Sequence, residues 1–78
     1  MKYIIKVKSR EDLIQAHKDN PLADIMHDEF ELEKYADQIF TGCRATEDVN
    51  EFTLYPGGYD NGEGIITKEE IEWVKAEN

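Results

Sequence analysis

The stretch His27–Phe40, His-Asp-Glu-Phe-Glu-Leu-Glu-Lys-Tyr-Ala-Asp-Gln-Ile-Phe, constrains the fold more than any other part of the chain. Leu32, Tyr35, Ala36 and Ile39 recur at the i, i+3, i+4, i+7 spacing of an amphipathic helix. Asp28 is placed to cap it, and Thr41-Gly42 to stop it, because glycine accepts the left-handed conformation that closes many helices. Glu29, Glu33 and Asp37 form a second series, each four residues from the last. Four helical residues advance about 6 Å, so the three carboxylates are expected to form a ladder along one edge. Like charges at this spacing slightly destabilise a helix, which makes their presence a candidate functional feature.

The rest of the chain supplies elements for this helix to pack on. Lys2 to Lys8 alternates, with Tyr3, Ile5 and Val7 inward and Lys2, Lys6 and Lys8 outward, as in a half-buried strand. Ile4 interrupts the polar face and calls for a cover, either another element or a partner. Ser9 then offers an N-cap, with Glu11 and Asp12 in the first turn where the helix dipole favours them. That helix is predicted to run to about Asp19, burying Leu13, Ile14 and His17, and to end before Asn20-Pro21. Leu22, Ile25 and Met26 are expected to pack. Cys43–Glu47 reads as a short strand, Glu47–Glu51 as a hairpin turn, and Phe52–Tyr55, where Phe52 and Leu54 alternate with Thr53 and Tyr55, as the return strand. Pro56-Gly57-Gly58 breaks regular structure, and Tyr59–Gly64 reads as a loop. Thr67 and Glu70 have capping-box spacing, with Ile66 and Ile71 placed as a hydrophobic staple, which predicts a third helix docked through Ile71, Trp73 and Val74. The order β-α-α-β-β-α predicts one α+β domain over residues 1–78, with a small, mainly antiparallel sheet and about three helices on one face.

Charge narrows the functional classes. Residues 1–26 hold five basic and four acidic side chains, whereas residues 27–78 hold four basic and fourteen acidic ones, a net of −10 within a total of −9. Such a surface repels phosphate at long range and disfavours direct binding to nucleic acid, while favouring a basic partner. No apolar run approaches the roughly 18 residues of a membrane span. The N-terminus reads as a strand rather than a signal peptide, and the single cysteine, Cys43, leaves no internal disulfide; a cytoplasmic protein is expected. A domain this short buries only about 60% of its unfolded surface, and pairing into a homodimer is one way to enlarge its thin core.

Motif by motif, catalysis finds no support. Cys43 and the histidines His17 and His27 lack the spacing of a zinc site or of a nucleophile with its base. There is no glycine-rich phosphate loop after a strand. The reading is a non-enzyme without cofactor or metal. Tyr59–Glu70 resembles an EF-hand calcium loop, with Asn61, Glu63, Gly64, Ile66, Thr67 and Glu70 at the third, fifth, sixth, eighth, ninth and twelfth positions. The resemblance implies a degenerate calcium-binding module. It departs at Tyr59, where an aspartate ligand belongs, and at Pro56-Gly57-Gly58, where an entering helix belongs. The alternative is a glycine-rich turn leading to a capped helix, with Glu70 as the capping residue. Tyr55, Tyr59 and Trp73 flank this acidic loop, as aromatic residues do at many protein interfaces.

Two readings of the carboxylate ladder remain. One is a solvated face that keeps a small structural or assembly protein soluble. The other is mimicry: carboxylates about 6 Å apart approximate neighbouring phosphates of a nucleic-acid strand. Glu31, Glu47, Asp48, Glu51, Asp60 and Glu63 extend the array of Glu29, Glu33 and Asp37 if the fold gathers them. A short, strongly acidic single domain of this kind resembles the small host-takeover proteins of bacteriophages, some of which are DNA mimics. That resemblance implies an inhibitor acting in the host cytoplasm, which occupies the DNA-binding surface of a basic host protein such as the nucleoid protein HU or RNA polymerase. Repair enzymes and CRISPR effectors are further targets of the type.

Overall fold

The computed structural model describes residues 1–48, 50–54 and 64–77. The first strand, β1 (Lys2–Val7), is followed by helices α1 (Arg10–Asp19) and α2 (Glu29–Tyr35) and then by strands β2 (Ile39–Ala45), β3 (Glu51–Leu54) and β4 (Gly64–Thr67). A single 3₁₀ turn, Lys68–Glu70, leads into the last strand, β5 (Ile71–Glu77). The fold is α+β; the described residues form one five-stranded antiparallel sheet ordered β4-β3-β2-β1-β5 and two α-helices.

Helix α1 forms where its signals place it. The Asp12 amide donates to Ser9 Oγ at 3.2 Å, Glu11 and Asp12 sit in the first turn, and the helix ends at Asn20 ahead of Pro21. Leu13 is fully buried, while Ile14 and His17 are half-buried. Of the three apolar residues that follow, Ile25 and Met26 are buried but Leu22 is wholly exposed.

Helix α2 also begins as expected, the Glu31 amide donating to Asp28 Oδ1 at 2.9 Å. It ends sooner than its periodicity predicts. Tyr35 is its last residue, and Asp37 takes a left-handed backbone with φ 65°. From there the chain bonds to β1: the Asp37 amide donates to Lys8 O at 3.1 Å and the Val7 amide to Gln38 O at 2.9 Å. Ile39, expected on the helix's apolar stripe, instead opens β2 opposite Lys6. A β-branched and an aromatic residue, Ile39 and Phe40, suit a pleated strand better than a last helical turn, and the ladder with β1 decides between the two. Thr41-Gly42 is therefore no helix stop. Gly42, at φ 71°, lies in β2 where the β1–β2 register gains a residue between Tyr3 and Ile5, a bulge that needs the left-handed conformation. Gly42→Ala is expected to lower stability by about 1 kcal/mol, measured as a shift in the urea midpoint.

The C-terminal third departs most from expectation. Gly64, expected to end a loop, and Ile66 and Thr67, expected as staple and cap of a helix, lie in the strand Gly64–Thr67, and Ile71–Glu77 is a strand, not a helix. The capping box exists, since Thr67 and Glu70 exchange their bonds, but it supports one 3₁₀ turn only. β5 then takes the open side of β1, from Lys2 opposite Glu77 to Val7 opposite Ile71.

This connection shapes the molecule. β4 and β5 lie at opposite edges of the strand order, yet three residues join them. Four Cα steps reach at most about 14 Å, whereas the edges of a flat five-stranded sheet stand about 19 Å apart. The sheet must therefore curl, and β2, bent at Gly42, is shared by a β5-β1-β2 half and a β2-β3-β4 half. Ile5, Val7, Cys43 and Ile66 fill the concave side with Leu13, Ile25, Met26, Leu32 and Tyr35 from the helical segment. No described helix is long and apolar enough to cross a membrane.

Candidate protein-binding site: an acidic cleft

The expected ladder does not form as a row of three. Glu29 and Glu33 share the outer side of α2, but Asp37 lies beyond the helix end. Glu29 pairs with Arg10, whose guanidinium is held above its usual range by that hydrogen bond and by the charges of Glu29 and Glu33. Asp37 pairs with Lys6 at 3.3 Å, and the same ammonium reaches Glu72 at 3.6 Å. Two of the three ladder carboxylates are thus already matched by cations of the same chain.

Other acidic residues are gathered elsewhere. Glu47 and Asp48 are exposed in the β2–β3 turn, where Asp48 Oδ1 accepts from the Asn50 amide at 2.9 Å and so helps form the turn. Asp60 and Glu63, with Tyr59, lie outside the described residues. Glu31 and Glu51, however, face a cleft of about 250 Å³, together with Asp24, His27 and Glu70. The α1–α2 linker forms one wall, the first turn of α2 a second, and β3, β4 and the 3₁₀ turn the rest. Ile65, more than half exposed, adds an apolar surface to it.

Glu70 anchors the cleft. Its side chain is buried, and both oxygens are engaged: Oε1 accepts from the Thr67 amide at 2.9 Å and from Thr67 Oγ1 at 3.1 Å, and Oε2 from the Met26 amide at 2.8 Å. Burial pushes its carboxyl above the usual range; these hydrogen bonds pull the other way, and the charge of Asp24 adds to the rise. Glu31 is also raised, first by desolvation, then by its hydrogen bond with Asp28 and by the charges of Asp28 and Glu70. Asp28 is lowered, chiefly by the hydrogen bond from the Glu31 amide. The described ion pairs, Lys6 with Asp37 and Glu72 and Arg10 with Glu29, involve none of the cleft carboxylates. The cleft concentrates negative charge: beyond burial, the charge of Asp24 adds to the rise of Glu70, and that of Glu70 to the rise of Glu31.

His27 sets the linker wall. Its Nδ1 lies 3.0 Å from Ile25 O, and because a carbonyl only accepts, Nδ1 carries the proton. Its ring stacks on His17 of α1 at 4.0 Å with an interplanar angle of 4°. Stacked rings do not aim their nitrogens at a common ion, and no group of three or more His, Cys, Asp or Glu among the described residues is arranged to hold a metal.

The chain matches no protein-family model, no curated protein and no solved structure.

The EF-hand-like segment can be followed from Gly64 onward. Its eighth and ninth positions, Ile66 and Thr67, lie in β4, and the expected leaving helix is replaced by β5. Glu70, at the position of the bidentate ligand, already accepts three hydrogen bonds. Titration calorimetry with millimolar calcium is expected to give no binding heat; a saturable signal lost in Glu70→Gln would support the calcium reading instead.

Asp24, His27 and Glu70 are not among the residues expected from the sequence to bind a protein partner, Glu70 being expected there as a capping residue or a calcium-loop position. The capping-box spacing pointed to one of Glu70's roles, but nothing local marks the bond from Met26, 44 residues away.

Proposed function

We propose that the protein is an acidic inhibitor that binds a basic nucleic-acid-binding protein and covers the surface this partner uses for DNA. The observation that carries the reading is the cleft of Asp24, Glu31, Glu51 and Glu70, whose carboxylates converge without an ion-pair partner among the described residues. A lysine or arginine entering it exchanges carboxylate repulsion for attraction, in a site partly shielded from water where charge–charge energies are larger than on an open surface. The net charge of −9 adds long-range steering toward a positive patch. The contact centre proposed is the cleft, with Glu47 and Asp48 on the adjoining turn and Glu33 on α2 as outlying charge. The cytoplasm of a bacterial host is the compartment this reading requires.

The test is competition. A labelled DNA duplex bound to HU, and a labelled promoter bound to RNA polymerase, are titrated with the protein while anisotropy is followed. Release of at least one of the two DNAs at low salt, weakening as salt rises, is the expected result. Retention of both DNAs at saturating protein would overturn the proposal for these partners.

A further inference from the structure

We propose that β5 is a self-association edge: two copies pair antiparallel along Ile71–Glu77, with Val74 of each copy on the two-fold axis. This goes beyond the inhibitor reading and does not depend on it. Among the described residues, β5 ends the strand order and is paired along one side only, with β1. One row of backbone N–H and C=O groups in a seven-residue strand therefore has no strand partner among the described residues, which is a template for pairing with another chain. The opposite edge, β4, is four residues long. β5 contains no proline, and Val74 at its centre is an exposed apolar residue at 41%.

The side-chain pattern selects a second copy as the occupant. Lys6 pairs with Trp73 and Val7 with Ile71, so Glu72 is an extra residue on β5 at that point. Residues directly opposite share a face, which puts Trp73 with Lys6 and Lys75 with Ile4 on the side of the sheet away from the core. The 3.6 Å ion pair between Lys6 and Glu72 brings Glu72 to that side too. With Val74 opposite Val74, Lys75 of each copy falls opposite Trp73 of the other, with Glu72 next to it. A cation thus meets an aromatic ring and a carboxylate, twice, by symmetry. Lys75 already makes this kind of contact in its own chain, with Nζ 5.2 Å from the Trp73 centroid. The remaining pairs, Glu72 with Ala76 and Ile71 with Glu77, oppose no like charges. The row Ile39–Lys6–Trp73 would continue across the junction into the second copy.

Each copy carries −9, so salt should strengthen this association, the reverse of its effect on a basic partner. Sedimentation velocity from low micromolar to near-millimolar protein is expected to show a monomer–dimer equilibrium that tightens with salt. Val74→Lys, which sets two ammonium groups face to face, should weaken dimerisation at least tenfold with unchanged circular dichroism, whereas Val74→Thr should retain it. The register has its own readout. Residue 74 would lie about 5 Å from its mate, within disulfide reach, and residue 76 about 13 Å from its mate. Val74→Cys should therefore crosslink under oxidation and Ala76→Cys should not; the native Cys43 is buried. A monomer throughout the concentration range, a dimer indifferent to Val74→Lys, or crosslinking at 76 in preference to 74 would each overturn the proposal.

Discussion

Glu70→Ala is expected to lower the unfolding free energy by about 3 kcal/mol, seen as a lower urea midpoint at an unchanged slope. The substitution removes three hydrogen bonds at once and leaves the Met26 amide without its acceptor. That bond joins the α1–α2 linker to the turn between β4 and β5, so its loss should loosen both walls of the cleft. Glu70→Gln should cost about 1–2 kcal/mol, because an amide has one acceptor oxygen and cannot accept on both sides. The pH profile provides a second signature. Burial raises the Glu70 carboxyl in the folded protein above its ordinary value of 4.5, so the folded state binds this proton more readily than the unfolded chain. Its contribution is full below 4.5 and is lost as pH rises through the folded value. Glu31, raised for related reasons, acts in the same sense. Asp28 acts in the opposite sense, because its carboxyl is lowered from 3.8 and its contribution disappears as pH falls through the lowered value. Stability should therefore decline as pH rises from just above 4.5 toward neutrality, and the decline should be shallower in Glu70→Gln. An unchanged decline in that variant would assign the effect to Glu31.

The second large effect concerns the partner. Changing Asp24, Glu31 and Glu51 together to lysine moves the net charge from −9 to −3, each reversal being worth two charges. Affinity for whichever of HU or RNA polymerase releases its DNA should fall by about a hundredfold or more, with a weaker dependence on salt. Reversal of Glu29, Glu33 and Asp37 produces the same net change at a different place, and serves as the comparison. If charge alone mattered, the two triple variants would lose the same affinity. The cleft reading expects the first to lose at least tenfold more, because Arg10 and Lys6 already occupy Glu29 and Asp37. A larger loss in the Glu29/Glu33/Asp37 variant would move the contact to α2. Circular dichroism and urea midpoints separate either result from unfolding.

Elements whose signals are local were legible in the sequence. Ser9, Asp12 and Asn20-Pro21 bound α1, Asp28 starts α2, and the alternation from Lys2 to Val7 marks β1. Errors arose where a distant strand outweighs a local signal. Ile39 fits a helical stripe, but β1 draws it into a ladder. Thr67 and Glu70 make the capping box expected of a helix, yet Ile71 onward pairs with β1, the segment farthest away in sequence. The site followed the same rule. Glu31 and Glu51 could be named as acidic residues of interest, but their convergence with Asp24 and Glu70 depends on the curl of the sheet and on the path of the α1–α2 linker. Spacing along one helix carries no information about either.

The pairing of Lys2 with Glu77 also governs how the molecule can be made. Of the described strands, β1 is synthesised first and its β5 neighbour last. Until then β1 can hold only its β2 side, and the concave pocket of Ile5 and Val7 stays open at one flank. Acquisition of the finished architecture is thus deferred until β5 has been made, and removal of residues 71–77 should leave a collapsed, protease-sensitive chain instead of a trimmed version of the same domain.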